Sequence, residues 1–366
     1  MLNPVSDNPS YPLSEYLEVA AAAAPRELVS RAALARIGSV SRLFGTVLGC
    51  GFECRLGHGR DDGPRRCDFS VVLRAPDLAS AGLPRADGPW RAAARVRDAM
   101  ASGQSPFEGD GTRLWLEFDL DGTAPDSDGC DPVAPGLCVL LDKHDRAVAR
   151  ARALSVIEAT CDAASREALR RRIDELVSKV PPSARLHFIG AFPARTSEAV
   201  NINLTGLSGG ALVDLLGELG WPGDLPHLAR WLVDLGPDVD RFALSMNLHA
   251  KHGPLARLGL ECFVDTSPRK SPRHARLFEK LIARGLCLEE ERDALLQWYG
   301  FDQAVPGRRL GWTTLARRVA GATTPMVAAF VRVLNHVKIT FEGSAAPTAK
   351  GYFGITHFAK AYEGAA

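Results

Sequence analysis

Five times along these 366 residues, two short runs of alternating apolar and polar side chains are joined by a loop too short for a crossover helix. Strands joined that way must run antiparallel. The pairs are Gly51–Leu56 with Cys67–Arg74, Arg113–Leu120 with Leu137–Asp142, Leu186–Phe192 with Val200–Thr205, Phe242–Leu248 with Arg257–Val264, and His336–Phe341 with Lys350–Ile355. They recur at irregular intervals too long for a solenoid. An open sheet of some ten strands would leave two bare edges, and closure into a barrel removes both.

Helical periodicity fills the intervals. It predicts Leu13–Ile37 with Ser14 as N-cap and a break at Pro25, then Trp90–Ser102. Arg146–Val180 should end at Pro181-Pro182, and Ala211–Leu219 should open on Ser208-Gly209-Gly210. Leu225–Leu235, Pro272–Arg284, Glu289–Tyr299 and a mostly helical Trp312–Leu334, whose end could already be strand, complete the set. Residues 1–12 read as a disordered lead, and residues 13–366 as a single domain.

The alternation states which way each strand faces. Phe52, Cys54 and Leu56 alternate with Glu53 and Arg55; Leu114, Leu116 and Phe118 alternate with Trp115 and Glu117. Val200, Ile202 and Leu204 alternate with Asn201 and Asn203; Val337, Ile339 and Phe341 alternate with His336 and Lys338. Helices need an apolar surface to pack on, so the apolar face is expected outward and the polar face around a solvated lumen. The expected fold is therefore α+β: a closed antiparallel ten-stranded β-barrel with a polar lumen, ringed by helices. The competing architecture is an open sheet with its polar face in water.

Bulk properties narrow the function class. With 44 Lys+Arg against 43 Asp+Glu, the net charge of +1 argues against nucleic acid as a partner. The chain has no signal-peptide pattern and no apolar run long enough to span a membrane, so a cytoplasmic protein is expected. Cys50, Cys54, His58 and Cys67 are spaced loosely like metal ligands, but they fit better as small apolar strand residues.

A barrel of five strand pairs resembles the aromatic prenyltransferase barrel, the ABBA fold, over nearly the whole chain. Gly51-Phe52-Glu53-Cys54-Arg55-Leu56 is similar to the first-strand segment whose acidic residue contacts the acceptor N–H in indole prenyltransferases. Leu116–Gly122 followed by Gly136–Lys143 is similar to their second hairpin, and Lys350-Gly351-Tyr352-Phe353 to their Lys-x-Tyr strands. The resemblance implies transfer of a dimethylallyl-type group from a prenyl diphosphate to an aromatic or peptide acceptor, as in natural product biosynthesis or peptide modification. Lys338, Lys350 and Tyr352 would hold the diphosphate, with Arg257, Arg74 and Arg55 as helpers. Glu53, Glu117 and His336 are the candidate catalytic groups. Trp115, Asn201, Asn203, Asn247 and Glu261 complete the candidate substrate-binding wall. Asn201 and Asn203 stand where the family carries cations.

The lumen is also expected to hold Glu53, Asp68, Glu117, Asp119, Asp142 and Glu261, carboxylates that repel a diphosphate unless some bind Mg²⁺. The sequence names no certain cofactor beyond a possible Mg²⁺ at these carboxylates. The same carboxylates with His187, His249 and His336 could instead run another tailoring reaction in this fold, or the barrel could bind a small molecule without catalysis. Phe118–Thr123, FDLDGT, is similar to the first motif of haloacid-dehalogenase-type phosphatases, with Asp119 as nucleophile and Asp121 as general acid. That motif belongs in a parallel sheet.

Overall fold

Ten strands close on themselves in the computed structural model, which describes residues 10–57, 67–74, 77, 90–101, 113–120, 135–141, 145–265, 267, 271–303 and 326–361. The barrel strands are β1 (Gly49–Arg55), β2 (Cys67–Arg74), β3 (Arg113–Phe118), β4 (Gly136–Leu140) and β5 (Arg185–Ala191). They continue as β6 (Ala199–Thr205), β7 (Arg241–His249), β8 (Gly253–Phe263), β9 (Met326–Glu342) and β10 (Thr348–Ala361). Every strand pairs antiparallel with its sequence neighbour, and β10 pairs with β1, so the ring has no open seam. The β8–β9 pairing runs from Arg257 opposite Glu342 to Cys262 opposite Val337. The open-sheet alternative is thereby excluded.

The described helices lie outside. They are α1 (Leu13–Ala23), α2 (Arg31–Ser41), α3 (Arg91–Ala101), α4 (Arg146–Thr160), α5 (Ala163–Lys179), α6 (Gly209–Glu218), α7 (Leu225–Leu235), α8 (Arg273–Ile282) and α9 (Glu289–Trp298). The apolar strand residues are buried beneath them: Phe52, Phe69, Leu114, Leu116, Ile202, Leu244, Leu260 and Ile339 are each at most 1% exposed. Trp90, Trp221, Trp231 and Trp298 join this outer core, while Trp312 lies outside the described residues. Cys50, Cys54 and Cys67 are buried on the same apolar side, and His58 lies outside the described residues.

Several local expectations are corrected. The helix expected over Leu13–Ile37 does break around Pro25, but its second half is capped by Ser30, whose side chain accepts from Ala33 N–H, and Ser14 caps nothing. The stretch Arg146–Val180 is two helices, because Asp162 caps a new one on Ser165 N–H. The strand allowed at the end of Trp312–Leu334 begins at Met326; its Val- and Phe-containing run pairs along the far half of β10. The rest of that expected helix, residues 312–325, lies outside the described residues. Gly300–Gln303 adds a short third strand against β9, and Tyr11-Pro12 pairs with Thr46-Val47.

Candidate active site

Strand register places the inward side chains. One line of directly paired positions crosses four neighbouring strands: Arg55 opposite Lys350, Lys350 opposite Lys338, Lys338 opposite Glu261. A second joins His336 to Tyr352, Tyr352 to Glu53 and Glu53 to Asp68. Because paired residues point to the same face, these positions form one continuous wall. Lys350 is ion-paired with Glu53 and lies 3.9 Å from Asp68. Lys338 Nζ donates to Ser245 Oγ at 3.1 Å and stands 3.6 Å from Glu261 Oε1. Asn203 Nδ2 donates to Glu261 Oε2 at 3.0 Å, and Asn201 Nδ2 donates to Asn247 Oδ1 at 3.0 Å. The Ser245 hydroxyl donates to Asn201 Oδ1 at 3.1 Å.

Rings complete the wall. His336 stacks on Tyr352 at 4.2 Å between centroids and packs against Phe263 at 4.6 Å. Trp115 meets Phe188 edge to face at 4.7 Å.

The electrostatics of these groups differ sharply. Burial opposes charge on Glu53, but Lys350 and Lys338, with hydrogen bonds from Lys350 and Tyr352, outweigh it and hold the carboxyl below the usual carboxylate range. Glu53 is therefore ionised at neutral pH. Burial pushes Glu117 up to about 7, helped by the negative charge of Glu53. Asp68 rises to about 6 for the same two reasons, with Lys350 opposing. Glu261 is also raised, chiefly by burial. Burial, with Lys338 alongside, holds His336 well below the ordinary imidazole range, so its ring is neutral at pH 7. Tyr352 is raised by burial and by Glu53, and keeps its proton.

One consequence is a pH-dependent stability term at Glu117. A carboxyl raised in the folded state contributes stability that is complete below its unfolded value of 4.5 and is lost as pH rises through about 7. Glu117→Gln mimics the protonated side chain. It should stabilise the protein at pH 8 by about 1–3 kcal/mol, an advantage that shrinks as pH falls toward the unfolded value. Melting temperatures of parent and variant across that range check this, and a pH-independent difference would contradict it.

The other candidates are placed as follows. Arg55 and Arg257 are exposed, near the end where the hairpin loops lie. Arg74 sits at the opposite end of the barrel, held by Asp77 Oδ2 at 3.1 Å and Ser10 Oγ at 3.0 Å. Asp119 is on the rim, ion-paired with Arg195, and Asp142 lies outside the described residues. The three histidines do not gather. His249 pairs with Glu198 at 3.3 Å on the rim, and His187 is the bulged residue of β5, between Leu186 opposite Leu204 and Phe188 opposite Asn203. The phosphatase-like reading fails because β3 continues into an antiparallel partner; Asp121 lies outside the described residues. Among the described residues no three His, Cys, Asp or Glu side chains converge as metal ligands.

Three wall residues escaped the candidate set. Phe188 faces inward only because the bulge at His187 resets the alternation. Cys138 lies between Leu137 and Val139, both buried outward, and its thiol contacts Glu117 Oε1 at 3.5 Å. Ser245 stood on the polar face of β7 by simple alternation, and its contact with Lys338 reaches it from β9 over Gly259 of β8.

No protein-family model and no curated protein matches the sequence. Solved structures do. The chain is similar to the prenyltransferase PriB in its apo form, at a TM-score of 0.54 and 15% identity, covering 93% of this chain and 94% of that one. It is similar to the 5-dimethylallyl tryptophan synthase of Streptomyces coelicolor in complex with DMASPP and Trp, at 0.51 and 14%, covering 94% and 95%. A third is AnaPT from Neosartorya fischeri, at 0.51 and 11%, covering 95% and 92%. The likeness spans nearly whole chains and is one of fold: the aromatic prenyltransferase barrel. No described helix is long and apolar enough to cross a membrane.

Proposed function

We propose that this chain is a prenyltransferase moving a dimethylallyl-type group from a prenyl diphosphate to an electron-rich aromatic or peptide acceptor. The observation that carries the reading is the register line Arg55–Lys350–Lys338, three cations on adjacent strands, beside Glu53 and Tyr352 in a closed barrel. In the reaction the allylic C–O bond breaks and the diphosphate leaves with the electron pair. Lys338 and Lys350 neutralise that developing charge, with Arg55 at the rim. Charge-assisted hydrogen bonds of this kind contribute about 1.5–3 kcal/mol each. The allylic cation is shielded by the Trp115–Phe188 pair and by the Tyr352 ring. The acceptor's π electrons form the new C–C bond, and Glu53 takes the proton that is lost. A proton leaving a cationic adduct is acidic enough for a weak base, so the depressed basicity of Glu53 suits the task.

Each lysine is shared with a carboxylate before donor binds, so the diphosphate must draw both toward itself. Gly259 bears on this. A Cβ at that position would lie 2.2 Å from Lys338 Cε, so only glycine lets the lysine lie across β8. Gly259→Ala should weaken diphosphate binding about tenfold, the loss of one charge-assisted contact, with little change in melting temperature because only a flexible side-chain end must move. Calorimetric titration with dimethylallyl diphosphate measures it, and unaltered affinity would remove Lys338 from the donor site.

The direct test is incubation with dimethylallyl or geranyl diphosphate and a panel of indoles, phenols and peptides. A product heavier by one prenyl unit supports the reading; no diphosphate binding at millimolar concentration overturns it. A second reading follows from Glu117, whose carboxyl titrates near neutral pH and suits acid–base work on a different substrate in the same lumen. Glu117→Gln should leave prenyl transfer largely intact and damage that other activity.

A further inference from the structure

Lys338 has two acceptors within reach and bonds the weaker one. Its partner in the sheet is Glu261 of β8, yet its side chain leans along that strand over Gly259 and reaches Ser245 of β7, the residue opposite Gly259. The ammonium donates to Ser245 Oγ at 3.1 Å and stands 3.6 Å from Glu261 Oε1, beyond a direct hydrogen bond. An ammonium only donates, so a Ser245 lone pair faces Lys338 and the hydroxyl proton must go elsewhere. It goes to Asn201 Oδ1 at 3.1 Å, which leaves the Asn201 amide to donate to Asn247 Oδ1 at 3.0 Å. Reversing the Asn201 amide would aim two donors at Ser245 Oγ and leave the hydroxyl proton without an acceptor in this line. The charge of Lys338 thus sets the sense of every bond as far as Asn247. Glu261 is held separately: Asn203, opposite Ser245 in the sheet, reaches across β7 and donates to Glu261 Oε2 at 3.0 Å. Ser245 is 4% exposed, so little solvent competes for its hydroxyl.

We propose that Ser245 is a positioning residue for the diphosphate: it holds Lys338 off Glu261 and free to meet the donor, an inference that rests on the prenyl-transfer reading and adds to it a residue acting through the lysine. A lysine committed to a carboxylate must break an ion pair before it can turn to a diphosphate. With the two side chains only 20% and 12% exposed, water screens little of that cost. A lysine bonded to a hydroxyl gives up only a neutral acceptor, and the hydroxyl keeps its bond to Asn201 when the lysine leaves. Asn201, itself fixed by Asn247, keeps the hydroxyl proton turned away from Lys338, so the lone pair stays aimed at the ammonium. Gly259 and Ser245 then do complementary things. The glycine opens the path across β8, and the serine gives the lysine a place to end it. Without the serine hydroxyl, Lys338 falls back on the Glu261 carboxylate beside it.

Calorimetric titration with dimethylallyl diphosphate tests this as a double-mutant cycle. Ser245→Ala should weaken binding about tenfold, the equivalent of one charge-assisted contact. Glu261→Gln removes the competing charge, and in that background Ser245→Ala should change the affinity by no more than about twofold. A serine that merely packs the wall would cost the same in both backgrounds. That result, or an unaltered affinity in Ser245→Ala alone, overturns the inference. Lys338→Met supplies a second background should Glu261→Gln lower the melting temperature. There too Ser245→Ala should add less than about twofold, and a further tenfold loss of about the same size as in the parent overturns the inference. The two readings fail separately. Prenylated product with equal losses in both backgrounds leaves the prenyltransferase and removes the positioning role. The expected cycle with no prenylated product from any acceptor leaves the positioning role and removes the prenyltransferase. No diphosphate binding by the parent protein removes both.

Discussion

In the proposed reaction, Glu53→Gln should lower kcat/KM for prenyl transfer by roughly 10²- to 10⁴-fold, the usual contribution of a positioned acid–base group. The glutamine keeps the shape and one acceptor oxygen but cannot hold the proton. The substitution also leaves Lys350 without its ion-pair partner in a site where the two side chains are only 14% and 17% exposed. Breaking a fully buried pair costs about 3–5 kcal/mol. Here the loss should be smaller, because Asp68 stands 3.9 Å from Lys350 and water reaches both groups. The effects on folding and on chemistry separate in a double variant. Glu53→Gln with Lys350→Met removes both charges and should recover stability, while activity stays low in any case because Lys350 also holds the diphosphate; the Glu53 role is read from the single variant. Melting temperature and steady-state kinetics on the three proteins decide the matter. Full activity in the single variant would take Glu53 out of the mechanism.

One residue earlier the expected effect falls on stability. Phe52 is 1% exposed and stacks on Phe353 at 5.3 Å, with Phe69 at 5.7 Å and Trp298 at 6.0 Å. These rings close the seam where β1 meets β10, beneath α9. Trp298 Nε1 donates to Gly354 O at 3.2 Å across the same joint. Phe52→Ala should destabilise the fold by about 3–5 kcal/mol, the range for a buried aromatic truncated to alanine. Gly354 lets the two strands approach closely at this joint; a Cβ there would meet Cys50 O at 2.5 Å. Urea denaturation provides the measurement. A loss under about 1 kcal/mol would mean that the seam relaxes freely.

That neighbours should fail so differently follows from a property readable in the chain. A strand turns successive side chains to opposite faces. Phe52 and Glu53, Leu116 and Glu117, and Val337 and Lys338 were thus assigned to outer core and lumen from alternation alone, and burial agrees. Where the period slips, the reading slips with it. The bulge at His187 hid Phe188 and put the wrong residue on the wall, and the bulge between Pro254 and Leu258 brings Arg257 to an exposed position. The point where the helix expected after Trp312 gives way to strand is not marked locally, because the apolar run Met326–Leu334 carries no clean period, and pairing with β10 fixed it.

Pairing across long separations lay beyond any local pattern. Lys338 bonds Ser245, 93 positions away, and Lys350 pairs with Glu53, 297 positions away. Which lysine neutralises which carboxylate depends on the register of β8–β9 and β10–β1.

Local sequence determined the strand pairs, their facing and the type of side chain inside the ring, because side-chain direction along a strand depends only on neighbours in the chain. Tertiary structure alone decided the glycine gap under Lys338 and the opposed titration of Glu53 and Glu117. Those properties depend on burial and on charges brought within a few ångströms by distant strands, and both arise only once the barrel has closed.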